Sequence, residues 1–185
     1  SSLYAQKIIT IQGTKQTNAQ DVTVHSYRKN HKVIHFTAKP TKAREYAGCA
    51  IMIPTEDANF IHSIGFTEDH ELRGRVGYIR LLQQNRMDIT IFTVYIPVEG
   101  SRQDLTGRIW DWVEEIINTL GGTSQIFIGT DANGHTQRQK HEQDETREMP
   151  VIGMDRGGDG VQTTNWNGRR MIIAMERQGM TAINT

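Results

Sequence analysis

Gly121-Gly122-Thr123-Ser124-Gln125-Ile126-Phe127-Ile128-Gly129-Thr130-Asp131-Ala132-Asn133 separates an amphipathic helix from a short apolar strand, and its reading decides the fold class. Upstream, Leu105, Ile109, Trp112, Val113, Ile116, Ile117 and Leu120 recur at helical spacing, so they share one face. Ser101 with Asp104 three positions later makes a capping-box pattern at the start. The glycine pair supplies a left-handed stop at the end. A strand then follows at Gln125 to Ile128. A helix delivered straight into a strand is the signature of a layered α/β domain.

Before the helix the chain reads as strands. Lys7 to Gln12 is a β-branched run closed by Gly13; Lys32 to Thr37 ends before Pro40; Cys49 to Ile53 is entered through Gly48. Phe60 to Ile64, Val76 to Leu82 and Asp88 to Ile96 continue the series, with polar turns such as Gln83-Gln84-Asn85-Arg86 between them. Consecutive strands at hairpin spacing predict an antiparallel sheet early in the chain. After Asn133 the polar, glycine-rich stretch from His135 to Gly160 predicts a long surface loop. A second helix is predicted from about Arg169 to Gln178, with Asn167 as N-cap and Gly179 as stop, and Met180 to Thr185 reads as the start of one more strand.

The chain has 185 residues, 36% of them hydrophobic and 23% charged, which suits one globular domain and argues against disorder. No apolar run approaches the ~20 residues a membrane helix needs, and the opening residues have no signal-peptide pattern. A lone Cys49 excludes an internal disulfide framework and a cysteine-rich zinc site, and an intracellular compartment fits best. Lys plus Arg and Asp plus Glu number 21 each, so net charge gives no pull toward a polyanion. The distribution is less even: no acid occurs from Val22 to Arg44, whereas Arg28, Lys29, Lys32, Lys39, Lys42 and Arg44 are basic and His25, His31 and His35 lie among them. Such a run is a candidate phosphate-binding surface, and a solvated strand-and-loop face is the alternative reading.

Three places could carry chemistry. Asp131 and Asn133 stand two apart at the end of an apolar strand, so in extended chain both would face one side and could orient a water; turn formation is the competing role. Tyr95, in Val94-Tyr95-Ile96-Pro97, could offer its hydroxyl to a phosphate or serve as a half-buried packing residue. Gln12-Gly13-Thr14 closes the first strand. His135 and His141, separated by five residues in the expected loop, make no convincing metal pattern.

Taken in order, Gln12, the Gly48-Cys49-Ala50-Ile51 strand, Val94-Tyr95-Ile96-Pro97, a helix, Gly129-Thr130-Asp131-Ala132-Asn133, then Asn167-Gly168 before a helix and Ile183-Asn184-Thr185 resemble the endonuclease/exonuclease/phosphatase family. Within it the sequence is most similar to the DNase I-like endonuclease domains that precede reverse transcriptase in non-LTR retrotransposon polyproteins. The resemblance implies a four-layer α/β/β/α sandwich, a divalent-metal site for Mg²⁺ where strand ends of both sheets converge, DNA as partner, fusion to a reverse transcriptase, and a nuclear location. It implies roles too: Asp131 in activating the attacking water, Asn133 in orienting that Asp and the phosphate, Tyr95 in contacting the scissile phosphate.

Three departures set the functional expectation. Gly13 stands where the family carries its metal-ligating glutamate. The family's first strand, with its asparagine, has no counterpart, and neither does the terminal Ser-Asp-His segment. The chain therefore reads as one endonuclease-like domain, 1–185, incomplete at both termini, with sheet edges left unpaired and DNA-nicking activity impaired. A non-catalytic remnant of the same fold, kept as a scaffold or nucleic-acid contact, is the alternative. A phosphomonoesterase shares the core motifs, but the basic run and the Asn-Gly to Asn-Thr ending weigh against it.

Overall fold

The computed structural model describes residues 7–27, 29–39, 47–83, 87–98, 102–134 and 165–181. Its elements are β1 (Ile9–Gln12), β2 (Val22–Tyr27), β3 (His31–Phe36), β4 (Cys49–Pro54), β5 (Ile61–Phe66), β6 (Val76–Gln83), β7 (Met87–Tyr95), α1 (Gln103–Thr119), β8 (Gln125–Asp131) and α2 (Trp166–Arg177), with a 3-10 turn at Asp57–Phe60. The result is a mixed α/β protein with two sheets of four strands and two helices. The chain divides into two compact units, Ser1–Ile96 with Glu115–Asp131, and Pro97–Glu114 with Ala132–Thr185.

The first unit holds both sheets. One has the order β1-β4-β3-β2 and is antiparallel throughout; the other has the order β5-β6-β7-β8, antiparallel except where β8 lies parallel to β7. The early strands therefore form two sheets rather than one. Hairpin spacing predicts that neighbours pair, but β1 pairs with β4, across two intervening strands. The parallel β7 to β8 step follows from α1, because a crossover helix returns the chain to the end where β7 began.

β2 was not predicted from the sequence. Its strand residues alternate Val22, Val24 against Thr23, His25, yet it is an edge strand with only Thr23 buried, so the polar and basic residues mask the period. Its six cross-strand pairs with β3 supply the order.

The core lies between the two sheets. Ile34 faces Ile51 across β3 and β4, Phe36 faces Cys49, and Ile79 of β6 stands between Ile64 and Ile91, all on inward faces. Burying each such side chain stabilises by about 1.5–3 kcal/mol. The sheets approach each other closely at Gly129: a Cβ there would run into the side chain of Thr10 on β1.

Arg80 and Asp88 make a two-pronged ion pair across β6 and β7, Nε to Oδ1 at 2.9 Å and Nη2 to Oδ2 at 2.6 Å. Hydrogen bonding from Arg80 is the main reason the Asp88 carboxyl titrates low, at about 2.

α1, which belongs to the second unit as far as Glu114 and to the first from Glu115, buries Leu105, Ile109 and Val113 as predicted, but its buried tryptophan is Trp110, not Trp112. The stripe runs through Thr106 and Trp110 beside Leu105 and Ile109, so the buried arc is rotated from the one the sequence suggested. Ser101, the predicted cap, lies outside the described residues. The helix ends at Thr119, and Gly121 and Gly122 follow with φ of 66° and 72°. α2 begins earlier than predicted, because Asn165 rather than Asn167 is its N-cap, accepting from the Gly168 backbone N–H at 2.9 Å. Arg170 to Asp111 (2.7 Å) and Arg177 to Glu114 (3.5 Å) join α2 to α1. Met180 and Thr181 are not in a strand, while Ile183, Asn184 and Thr185 and the predicted loop from His135 to Gly160 lie outside the described residues. Among the described residues no helix is long and apolar enough to cross a membrane.

Two outcomes follow from this packing. Gly129→Ala should lower stability by about 1–3 kcal/mol through overpacking, and Thr10→Ala in the same chain should recover part of that loss in urea denaturation. Because the Asp88 carboxyl is depressed when folded, the stability it contributes is present above the unfolded value near 4 and disappears as pH falls from there toward 2. Asp88→Asn should flatten that acid limb, at a cost near neutral pH of about 1 kcal/mol.

Candidate active site

One end of the paired sheets gathers the residues singled out from the sequence. In the first sheet, Gln12, Cys49, Phe36 and Val22 stand in register in one row. Alternation places Gln12 on the inward face, and its Nε2 donates to the Gly129 carbonyl oxygen at 3.0 Å and to Thr93 Oγ1 at 3.3 Å. Thr93 Oγ1 in turn donates to the Ile11 carbonyl oxygen at 3.4 Å. The end of β1 is therefore fastened to β7 and β8, two residues before Tyr95 and two before Asp131. Sequence reading stopped at Gln12 as a strand terminator and missed Thr93, whose only signal is a hydroxyl within a run of apolar strand residues.

Tyr95 and Asp131 are the last residues of parallel neighbours and stand opposite each other in the register. The Asp131 carbonyl oxygen accepts from the Ile96 N–H at 2.9 Å, extending the ladder one step past the strand end. Asp131 is exposed and Tyr95 half-buried. Under Tyr95 sits Arg75, whose guanidinium carbon is 5.8 Å from the ring centroid and whose carbonyl oxygen accepts from the Tyr95 N–H at 2.7 Å. Arg75 is only 6% exposed, so it supplies a fixed, partly desolvated positive charge near the tyrosine. Sequence analysis did not single it out; Arg-Val-Gly-Tyr at a strand start looks like an ordinary hairpin shoulder.

Asn133 takes a different conformation from the one assumed in placing it beside Asp131. Its φ is 41°, so the chain is no longer extended there and the two-residue alternation does not carry over. It lies in the second unit, where its carbonyl oxygen accepts from Asn167 Nδ2 at 3.1 Å and Asn165 Nδ2 at 3.4 Å. The turn-forming role thus applies to Asn133, whereas Asp131 is a strand residue.

Gly13 has φ of 67°, and a Cβ added there would meet nothing within 4 Å. Space for a larger residue exists; the backbone conformation is what favours glycine. The next residue, Thr14, donates its N–H to the Gly48 carbonyl oxygen at 2.8 Å, tying the turn to the entrance of β4. Cys49 at that entrance is fully buried, with its thiol pushed up to about 12 by burial. It is neutral and unreactive at ordinary pH.

The basic run is split by the fold. Lys29 sits in the β2–β3 turn and Lys32 near the start of β3, at the end of the sheet opposite Gln12; Lys39 follows Phe36, at the Gln12 end. A six-residue strand separates these ends by roughly 17 Å. Lys29 and Lys39 are exposed and Lys32 half-buried. Arg28, Lys42 and Arg44 lie outside the described residues. His25 and His35 stack edge to face at 5.7 Å, and burial, then the proximity of His25, lowers the His35 pKa.

Among the described residues no group of three or more His, Cys, Asp or Glu side chains is placed to hold a metal ion. At the Gln12 end the donor set is the Asp131 carboxylate with amide and hydroxyl groups, and Gly13 offers no side chain. These residues do not by themselves fit a Mg²⁺ cage, which needs several hard oxygen donors. His135 and His141 lie outside the described residues. Comparison with protein-family models, with curated proteins and with solved structures finds no match.

The geometry at Gly13 predicts a graded response to substitution. Gly13→Ala should cost about 1–2 kcal/mol for the left-handed backbone, and Gly13→Asn less, since asparagine tolerates that region. Gly13→Glu should cost about as much as alanine, because its Cβ meets nothing within 4 Å and the backbone penalty is shared. Thermal or urea unfolding of the three variants would reveal a hidden clash if glutamate proved much worse than alanine.

Proposed function

We propose that this chain is a phosphodiester hydrolase domain of the DNase I-like type, a DNA-nicking endonuclease from a retrotransposon polyprotein carrying reverse transcriptase, acting in the nucleus with the two sheets as the inner layers of an α/β/β/α sandwich. The observation that carries this reading is the opposition of Tyr95 and Asp131 at the ends of parallel β7 and β8, with Gln12 fastened at the same end. Hydrolysis of a phosphodiester needs a deprotonated water and compensation of charge on the phosphoryl oxygens. Asp131 is an exposed carboxylate at that end and would take the water's proton. The Tyr95 hydroxyl is the donor to a phosphoryl oxygen, and the buried Arg75 cation beneath its ring favours anionic charge nearby. The resemblance would give Asn133 a part in holding the phosphate, and Lys39 with the other basic residues of the 28–44 stretch would meet the DNA backbone. Mg²⁺ would supply further neutralisation of the phosphoryl charge if other groups completed a site for it, since the described residues at this end do not hold it by themselves.

Gly13 supports a second reading, a non-catalytic remnant of the same fold. With one carboxylate among the described groups at this end, transition-state stabilisation is short by several kcal/mol, and each 1.36 kcal/mol is about tenfold in rate.

Incubating supercoiled plasmid with the chain and Mg²⁺, beside an EDTA control, separates the two. The enzyme reading expects slow nicking that EDTA stops, a loss of about 100-fold or more in Asp131→Ala, and a gain in Gly13→Glu. Nicking that survives Asp131→Ala would sink the assignment of the base. DNA retention with no nicking in either the parent chain or Gly13→Glu would establish the remnant.

A further inference from the structure

Asn167 looks like a helix cap in the sequence, but the structure gives that task to Asn165 and leaves the Asn167 carboxamide for something else. The side chain is 2% exposed. Its Nδ2 donates one hydrogen to the Pro97 carbonyl oxygen at 2.9 Å and the other to the Asn133 carbonyl oxygen at 3.1 Å, while its Oδ1 accepts from Thr106 Oγ1 at 3.2 Å. All the donors and one acceptor of a carboxamide are used, by three separate segments of the second unit. Pro97 is the second residue after Tyr95, and Asn133 is the second residue after Asp131. The two carbonyls held by one nitrogen thus belong to the segments that continue the two strands carrying the candidate catalytic pair.

We propose that Asn167 is a positioning residue: it clamps the Pro97 and Asn133 carbonyls together, fixes the left-handed turn at Asn133, and so sets the aim of the Asn133 side chain. The functional part of this inference rests on the hydrolase reading above; the clamp itself does not. Few other side chains could do the work. Aspartate has the same shape but presents only acceptors to two carbonyl oxygens, alanine takes this donor from the buried Pro97 carbonyl and leaves the Asn133 carbonyl only the longer bond from Asn165, and glutamine displaces the amide by one methylene. Thr106 fixes which way the carboxamide faces, since its hydroxyl marks the oxygen side, but it touches neither carbonyl. Removing it should therefore loosen the clamp far less than removing the Asn167 donors.

The test uses the full chain labelled for NMR. In the parent, scalar couplings across the hydrogen bonds from Asn167 Nδ2 to the Pro97 and Asn133 carbonyl carbons are expected; their absence in well-resolved spectra overturns the clamp without any variant. Asn167→Asp should move both carbonyl carbons upfield and sharpen or broaden the Gly134 amide, whereas Thr106→Val should leave the two carbonyls close to their parent shifts. Equal disturbance by the two variants, or none by Asn167→Asp, would show that Asn167 is only filling space. A plasmid-nicking assay adds the functional arm: Asn167→Asp should lower kcat about tenfold or more with KM nearly unchanged, and Thr106→Val should not. Absence of nicking in the parent chain counts against the hydrolase reading alone, because the couplings and carbonyl shifts still decide the clamp.

Discussion

The joint between β1 and the far sheet is the constraint on which the rest of the first unit depends. Gly129 has no side chain, so Thr10 can come down onto β8, and Gln12 can then reach the Gly129 carbonyl oxygen and Thr93. Each net hydrogen bond of this kind stabilises by only about 0.5–1.5 kcal/mol. Their importance lies in geometry: they lock the last residues of β1, β7 and β8 at one end of the sheets. Without the close approach at Gly129, the half-buried Gln12 amide would lose both partners.

That joint has consequences for charge. The inward faces are apolar apart from Gln12 and threonines such as Thr10 and Thr93 near one end. Arg75 illustrates the outcome. It is nearly enclosed, and its cation lies against the Tyr95 ring instead of in water. An arginine in such a place tolerates enclosure because its planar, weakly hydrated guanidinium can stack as well as hydrogen-bond. The result is a strand end with one exposed carboxylate and one enclosed cation, and a glycine where a second carboxylate would be expected from the resemblance.

The second unit solves a different problem. Asn133 adopts a positive φ that would be costly if left unsupported, and its carbonyl is held by two asparagine side chains from the start of α2. The division of labour between Asn165 and Asn167 is set by helix geometry. The cap must precede the first helical residue and accept from an N–H three residues on, so Asn165 serves, and Asn167 in the first turn points its amide elsewhere.

By itself the sequence determined the alternation of strands and helices, the glycine stops of α1 and α2, the apolar identity of the core strands, and the candidate residues Gln12, Tyr95, Asp131 and Asn133, because these depend on short-range periodicity and local backbone preferences. The resemblance already implied two packed sheets; tertiary structure alone decided which strands make up each, with β1 beside β4, that β2 is a strand, that Trp110 rather than Trp112 turns inward, that Asn167 binds carbonyls instead of capping, and that the described lysines of the basic run, Lys29, Lys32 and Lys39, lie at both ends of a sheet. Each of these is fixed by contacts between residues tens of positions apart, and such contacts leave no periodic trace in the segments that make them.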